Sequence, residues 1–171
     1  MISEPADIEP IDVETIDVDA IRSTDATVPS VQELDSRCFC EGERTDIASQ
    51  CKQPFAHVWV AQRKAASTKA SVVGFMIAWH IADELHILSV ATDPEVRRRG
   101  IGNKLMNHAI SFAKEHSVRL VLLEVRKNNA PALGLYKSFG FSTTRVRTGY
   151  YSDGEDGVEM ALSINQIAET R

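Results

Sequence analysis

Residues 89–106 read SVATDPEVRRRGIGNKLM, and no other stretch restricts the chain so tightly. Apolar residues running to Thr92 predict a strand that ends at Asp93-Pro94, and a helix is predicted to start at Gly100. The basic turn between them has the pattern Arg-x-x-Gly-x-Gly, from Arg97 through Gly100 to Gly102. A helix start carries orphan N–H groups and about half a positive charge, so it suits a phosphate. Gly100 and Gly102 lack a Cβ and let a pyrophosphate reach the backbone. Arg97, Arg98 and Arg99 add cationic charge around it. A Walker loop would end in Gly-Lys-Ser/Thr, but Gly102 is followed by Asn103 and Lys104. A dinucleotide fingerprint would need glycine where Leu105 stands. On spacing alone, a helix start with solvated arginines stays open as the bland reading.

The 171 residues suit one domain with a sizeable core. A net charge of −5 argues against a general nucleic-acid binder, despite the local arginines. No apolar run approaches the ~18 residues of a membrane span, and acids stand where a signal peptide would be basic and then apolar. The expected location is the cytoplasm, with no membrane partner. Cys38, Cys40 and Cys51 are an odd count, and with His57 they lack the C-x2-C spacing of a zinc knuckle. Free thiols and no metal are expected.

Residues 1–15 form an acidic extension expected to be disordered, 16–163 the folded domain and 164–171 a polar tail. A strand is predicted at 16–21, then a helix opened by Thr24 or Asp25 with Val28, Val31, Leu34 and Cys38 on one face. A loop with a second short helix follows, closed by Pro54. Strands at 57–62, 72–81 and 85–92 make an antiparallel meander. His80 and His86 near its last turn read as structural. Ile101, Leu105, Ala109, Phe112 and Ala113 mark a helix face to about His116. RLVLLEV at 119–125 predicts a strand buried on both faces, entered by a right-handed parallel crossover. Asn128 or Asn129 caps the next helix, which Gly140 ends, and residues 141–151 and 158–162 predict a closing hairpin.

Glu124 ends that apolar strand. It is either paired with Arg126 or Arg97, plainly exposed, or useful. A partly buried carboxylate there would suit a general base. Tyr136 lies on the next helix with Leu133 and Phe139, where core packing is the default and proton donation the chemical reading. Asn129 could cap the helix or bond a cofactor.

The glycine turn resembles motif A of the GNAT superfamily of acyl-CoA-dependent N-acetyltransferases. LLEVRKNNAPALGLYKSFGF and RVRTGYYSDGEDGVEMAL narrow the resemblance to the RimI branch, the ribosomal-protein-alanine N-acetyltransferases, over residues 72–162. It implies an α/β GNAT fold, a mixed and mostly antiparallel sheet flanked by helices, using acetyl-CoA and no metal. Glu124 would then be the general base and Tyr136 the general acid. Val90, Ala91, Thr92, Arg97, Arg98, Arg99, Gly100, Ile101, Gly102, Asn103 and Asn129 would bind the cofactor. Tyr150 and Tyr151 would lie near the acceptor. The implied partner is a protein N-terminus, the alanine of small-subunit ribosomal protein bS18 in this branch. The chain departs from the branch at Cys38-Phe39-Cys40-Glu41-Gly42, after the first helix, and at Gly157, where alanine is usual. A same-fold lysine or small-amine acetyltransferase is the alternative. A non-catalytic acyl-CoA-binding module would lack Glu124 or Tyr136.

Overall fold

In the computed structural model, residues 16–22, 24–63 and 71–164 are described. The expected extension at 1–15 and the end of the expected tail lie outside them. The elements run β1 (Ile16–Ala20), α1 (Val28–Cys38), α2 (Ile47–Gln50), β2 (Ala56–Arg63), β3 (Ser71–Ile81), β4 (Glu84–Thr92), α3 (Ile101–Glu115), β5 (Leu120–Arg126), α4 (Ala130–Ser138), β6 (Ser142–Arg147) and β7 (Gly157–Ser163). Short 3-10 turns sit at Glu41–Glu43 and Pro94–Val96. The strands form one sheet in the order β1-β2-β3-β4-β5-β7-β6. Among the described strands only β4 and β5 pair in parallel, as the crossover through α3 requires.

Helices cover both faces. On one, α3 and α4 bury Met76, Leu85, Leu105, Met106, Val121 and Leu123. On the other, α1 and α2 bury Val31, Leu34, Ile47, Val58, Phe75 and Ile77. Each fully buried Leu, Ile or Phe side chain there contributes about 1.5–3 kcal/mol. Gly74 lets α3 seat directly on β3, because a Cβ there would stand 2.8 Å from Ile101 Cγ2 and 2.9 Å from the Ala91 carbonyl.

Three expectations change. β5 alternates rather than being buried on both faces: Val121, Leu123 and Val125 are buried, Leu122 is half-buried and Glu124 exposed. Helices cover one face of this strand, whereas α1 lies over β3 and β4. β6 ends at Arg147, well before Tyr151. Gly149 turns the chain at φ 60° and its N–H bonds Asp156 Oδ1 at 3.1 Å. Ile164, expected in the tail, is 8% exposed and bonds the Arg119 carbonyl at 2.9 Å, so it belongs to the core.

The decisive feature is where β4 and β5 part. Their ladder covers only Glu84–Ile87 against Leu120–Leu123. β4 then bulges at Leu88, since Ile77 pairs with Ser89 and Ala78 with Ile87, and it continues against β3 alone. β5 continues against β7. Beyond the parting, the β4 edge that faces β5 has no ladder partner among the described residues.

Candidate active site

The basic turn closes one end of the parted strands. Asp93 fixes it, accepting from Glu95 N–H at 3.0 Å and from Arg37 of α1 at 2.8 Å. Arg98 adopts φ 64° and Gly100 φ 77°, both left-handed, and Gly100 is the N-cap of α3. Helix proper thus begins at Ile101, one residue beyond the expected start. The Lys104 N–H bonds the Gly100 carbonyl, so the amides of residues 101–103 precede the first intrahelical bond. A Cβ at Gly102 would lie 3.1 Å from Leu135 of α4, which shows how closely α4 approaches this helix start.

A groove of about 750 Å³ runs from this turn along the open edge of β4. Val90, Ala91 and Thr92 line one wall, and Arg97, Arg98, Gly100, Ile101, Gly102 and Asn103 line the turn. Asn129 lines it too, and its side-chain oxygen caps α4 by accepting from Ala132 N–H at 3.2 Å. Capping α4 thus places Asn129 on the groove wall. Arg99 stands in the same turn but outside the groove lining. The groove continues into a second hollow of about 310 Å³ between the parted strands, where Leu88 and Ser89 face Glu124 and Arg126. Tyr136 lines both spaces and marks their junction.

Glu124 is neither buried nor paired with Arg126 or Arg97. It accepts a hydrogen bond from Arg147 at 2.8 Å, and Arg147 also reaches Glu159 at 3.5 Å. The pleat explains this: Glu124 opposes Glu159 of β7, and β6 delivers Arg147 to the same uncovered face. Tyr150 completes the cluster. The Glu124 carboxylate beside it pushes its phenol up, and Arg147 stacks over its ring at 4.1 Å.

Arg126 is held elsewhere. It donates to Glu43 at 2.5 Å, Asp153 at 2.8 Å and Glu155 at 2.7 Å, and lies 4.0 Å from the centre of the Tyr151 ring. Burial pushes the Tyr151 phenol up to about 12. Tyr136 is 7% exposed, and burial pushes its phenol also up to about 12. It is thus at once a core residue and a wall of the site.

Sequence reading gave no place in the site to Cys38 at the end of α1, to Phe39 and Glu43 on the loop after it, or to Arg147 on β6. Arg147 stood beside the tyrosine pair in RVRTGYY, but only the register of β6 against β7 brings it to Glu124. The cysteines are free thiols. Cys40 bonds Glu43 at 3.1 Å, while Cys38 reaches the Thr92 carbonyl at 3.7 Å. Among the described residues no group of three or more His, Cys, Asp or Glu could hold a metal.

Comparison with known proteins agrees with this geometry. The [ribosomal protein bS18]-alanine N-acetyltransferase of Escherichia coli K12 is 31% identical over 151 residues, 85% of this chain and 96% of that one. The crystal structure of the E. coli ribosomal-protein-S18-alanine N-acetyltransferase superposes with a TM-score of 0.77 at 27% identity, covering 91% of this chain and 98% of that one. An N-alpha-acetyltransferase of Sulfurisphaera tokodaii is 43% identical over 80 residues, 46% of this chain and 48% of that one. These matches bear out the resemblance to the RimI branch. Residues 28–141 match the model of the Acetyltransferase (GNAT) family. That match takes in every element from α1 to α4, and the chain belongs to the GNAT family of acetyltransferases.

Proposed function

We propose that this chain transfers acetyl from acetyl-CoA to the N-terminal α-amine of a protein, by direct attack, in the cytoplasm. The observation that carries the reading is the meeting of Glu124 and Tyr136 on one hollow, at the end of a groove that begins at the basic turn. The turn amides and Arg97 and Arg98 fit a pyrophosphate, and the open edge of β4 fits an extended, amide-bearing arm. Acetyl-CoA, the donor that GNAT acetyltransferases use, supplies the activated thioester. Relatives that act on bS18 alanine direct the acceptor reading to a ribosomal-protein N-terminus.

An α-amine has a pKa near 8 and is mostly ammonium at neutral pH. Glu124, solvent-accessible and oriented by Arg147 and Tyr150, takes its proton directly or through a water. Backbone N–H groups around Leu88–Val90 that point to the open edge of β4, away from β3, are donors for a developing oxyanion. Tyr136 holds the proton for the departing thiolate. Against a free thiol near 8.5 a phenol at about 12 would be an uphill donor by roughly 5 kcal/mol. A thiolate formed beside Tyr136 loses solvation in the same slot, and that raises its basicity toward balance.

Cys38 does line the groove, although no motif flagged it. Burial is the largest influence on its thiol and pushes it up, which disfavours the nucleophilic thiolate. Direct attack is therefore retained over an acyl-cysteine route.

The test is acetyl-CoA turnover on one peptide carrying a free N-terminal alanine and an internal lysine, mapped by tandem mass spectrometry. Acetyl on the alanine amine supports the reading. Acetyl on the lysine alone overturns it in favour of a same-fold lysine acetyltransferase.

A further inference from the structure

Arg126 stands two residues beyond Glu124 on the same side of β5, opposite Gly157 of β7. Its guanidinium faces three carboxylates from two segments far apart in sequence. Nε and Nη2 both donate to Glu43 Oε1, at 3.0 and 2.5 Å. Nη1 donates to Asp153 Oδ2 at 2.8 Å and to Glu155 Oε2 at 2.7 Å. Side-chain exposures of 23% for Arg126, 25% for Glu43 and 19% for Glu155 set these pairs apart from ordinary surface pairs, which contribute little.

Each segment is already ordered within itself. Gln32 and Asp35 of α1 hold the first loop, accepting from Ile47 N–H at 3.0 Å and Thr45 N–H at 3.2 Å. In the second, Tyr151 N–H bonds the Glu155 carbonyl at 3.0 Å, and Glu155 Oε1 accepts from Asn128 N–H at 2.9 Å. Among the described residues no hydrogen bond or ion pair joins the two segments directly. The guanidinium is their link. It also carries the Tyr151 ring, which meets Tyr150 at 5.1 Å between centroids, and Tyr150 stands at Glu124.

We propose that Arg126 is a positioning residue that locks the first loop and the β6–β7 loop into one rigid mouth for the acceptor, so setting acceptor affinity while leaving donor binding alone. The proposal rests on the acceptor reading above. Arg126 bonds neither Glu124 nor Tyr136, and the basic turn lies at the other end of the groove. A lysine cannot reproduce the fork that reaches three carboxylates.

Two variants test it, Arg126→Lys and the milder Glu43→Gln, which loosens only the first-loop half. The expected result is a peptide KM raised about 10-fold or more in Arg126→Lys and less in Glu43→Gln, with kcat and the acetyl-CoA KM held within about 3-fold. Unchanged peptide KM in both variants overturns the proposal. So does a parallel rise in both KM values with a lower Tm, which is what a merely structural residue would give. Hydrogen exchange supplies a readout independent of the acceptor. In Glu43→Gln the amides of both 40–46 and 150–156 are expected to exchange faster while α3 is unchanged, and acceleration confined to 40–46 overturns the linkage. If the native enzyme fails to acetylate the peptide, the acceptor reading falls and the exchange result still decides whether the two loops are locked.

Discussion

Arg147 donates to Glu124 Oε1 at 2.8 Å and stacks over the Tyr150 ring at 4.1 Å, so one guanidinium fixes both the candidate base and the aromatic beside it. A carboxylate held this way has one orientation instead of several, and orientation is a large part of general-base efficiency. Arg147→Met is expected to lower kcat/KM for a peptide acceptor about 10-fold, against a loss of about 100-fold or more in Glu124→Gln. Steady-state kinetics at saturating acetyl-CoA check both. Equal rates in the native enzyme and Glu124→Gln across pH 6–9 would remove the base role.

Tyr136→Phe separates the two roles of a buried phenol. The ring stays packed near Phe141, 6.0 Å away between centroids, and only the hydroxyl is lost. The expected outcome is a kcat lower by about 10- to 100-fold, with the acetyl-CoA dissociation constant within about 3-fold. Since burial pushes this phenol up to about 12, it keeps its proton through the whole range of an ordinary assay. Any fall in activity near pH 9 must then come from another group. A large loss of acetyl-CoA affinity in Tyr136→Phe would make the hydroxyl a binding group rather than an acid.

Gly157→Ala tests a glycine packed against Tyr150. A Cβ there would stand 2.8 Å from Tyr150 Cδ1 and 3.1 Å from Tyr150 Cβ, and contacts this near the root of a side chain force the ring to move. With no positive φ at Gly157, the strand itself tolerates alanine. Peptide KM is expected to rise several-fold with little change in Tm, read by kinetics and a thermal melt. A Tm fall of many degrees with unchanged KM would show that Tyr150 is a packing residue only.

The basic turn and the helix start behind it were legible because they are local. Strand, turn and helix are consecutive, and the Gly100 backbone at φ 77° is what a glycine at that point announces. The ion pairs around the end of β5 are assembled from residues far apart in sequence, Glu43, Glu124, Arg147 and Tyr150, so sequence neighbours misled. Arg126 stood nearest to Glu124 in the chain, yet the register of β5, β7 and β6 gives Glu124 to Arg147 and Arg126 to Glu43. The same non-locality hid the open face of β5. RLVLLEV reads as a strand covered twice, and only the position of α1 over β3 and β4 leaves one face of β5 bare.

Half-buried histidines set among aromatic rings give the fold a measurable response to mild acid. His57 lies 4.5 Å from Phe112 and 5.5 Å from Trp59 between centroids, with His80 and His116 beyond. Burial holds its folded-state pKa below the ordinary 6.5, and the neighbouring histidines lower it further. Burial does the same to His108, against Trp59. A depressed histidine binds its proton first in the unfolded chain, so its stabilising contribution is complete above about pH 6.5 and is lost as pH falls toward the folded value. The aspartates lowered by their partners, such as Asp83 and Asp153, act near and below the ordinary aspartate value of about 3.9, outside that window. Asp35 works the other way, because burial raises its carboxyl and stability falls as pH rises through the raised value. The quantity to measure is therefore the difference between native protein and His57→Gln in Tm from pH 8 to pH 5.5. The native protein is expected to lose more Tm over this interval than the variant does. Parallel curves would show that His57 carries no proton-linked stability.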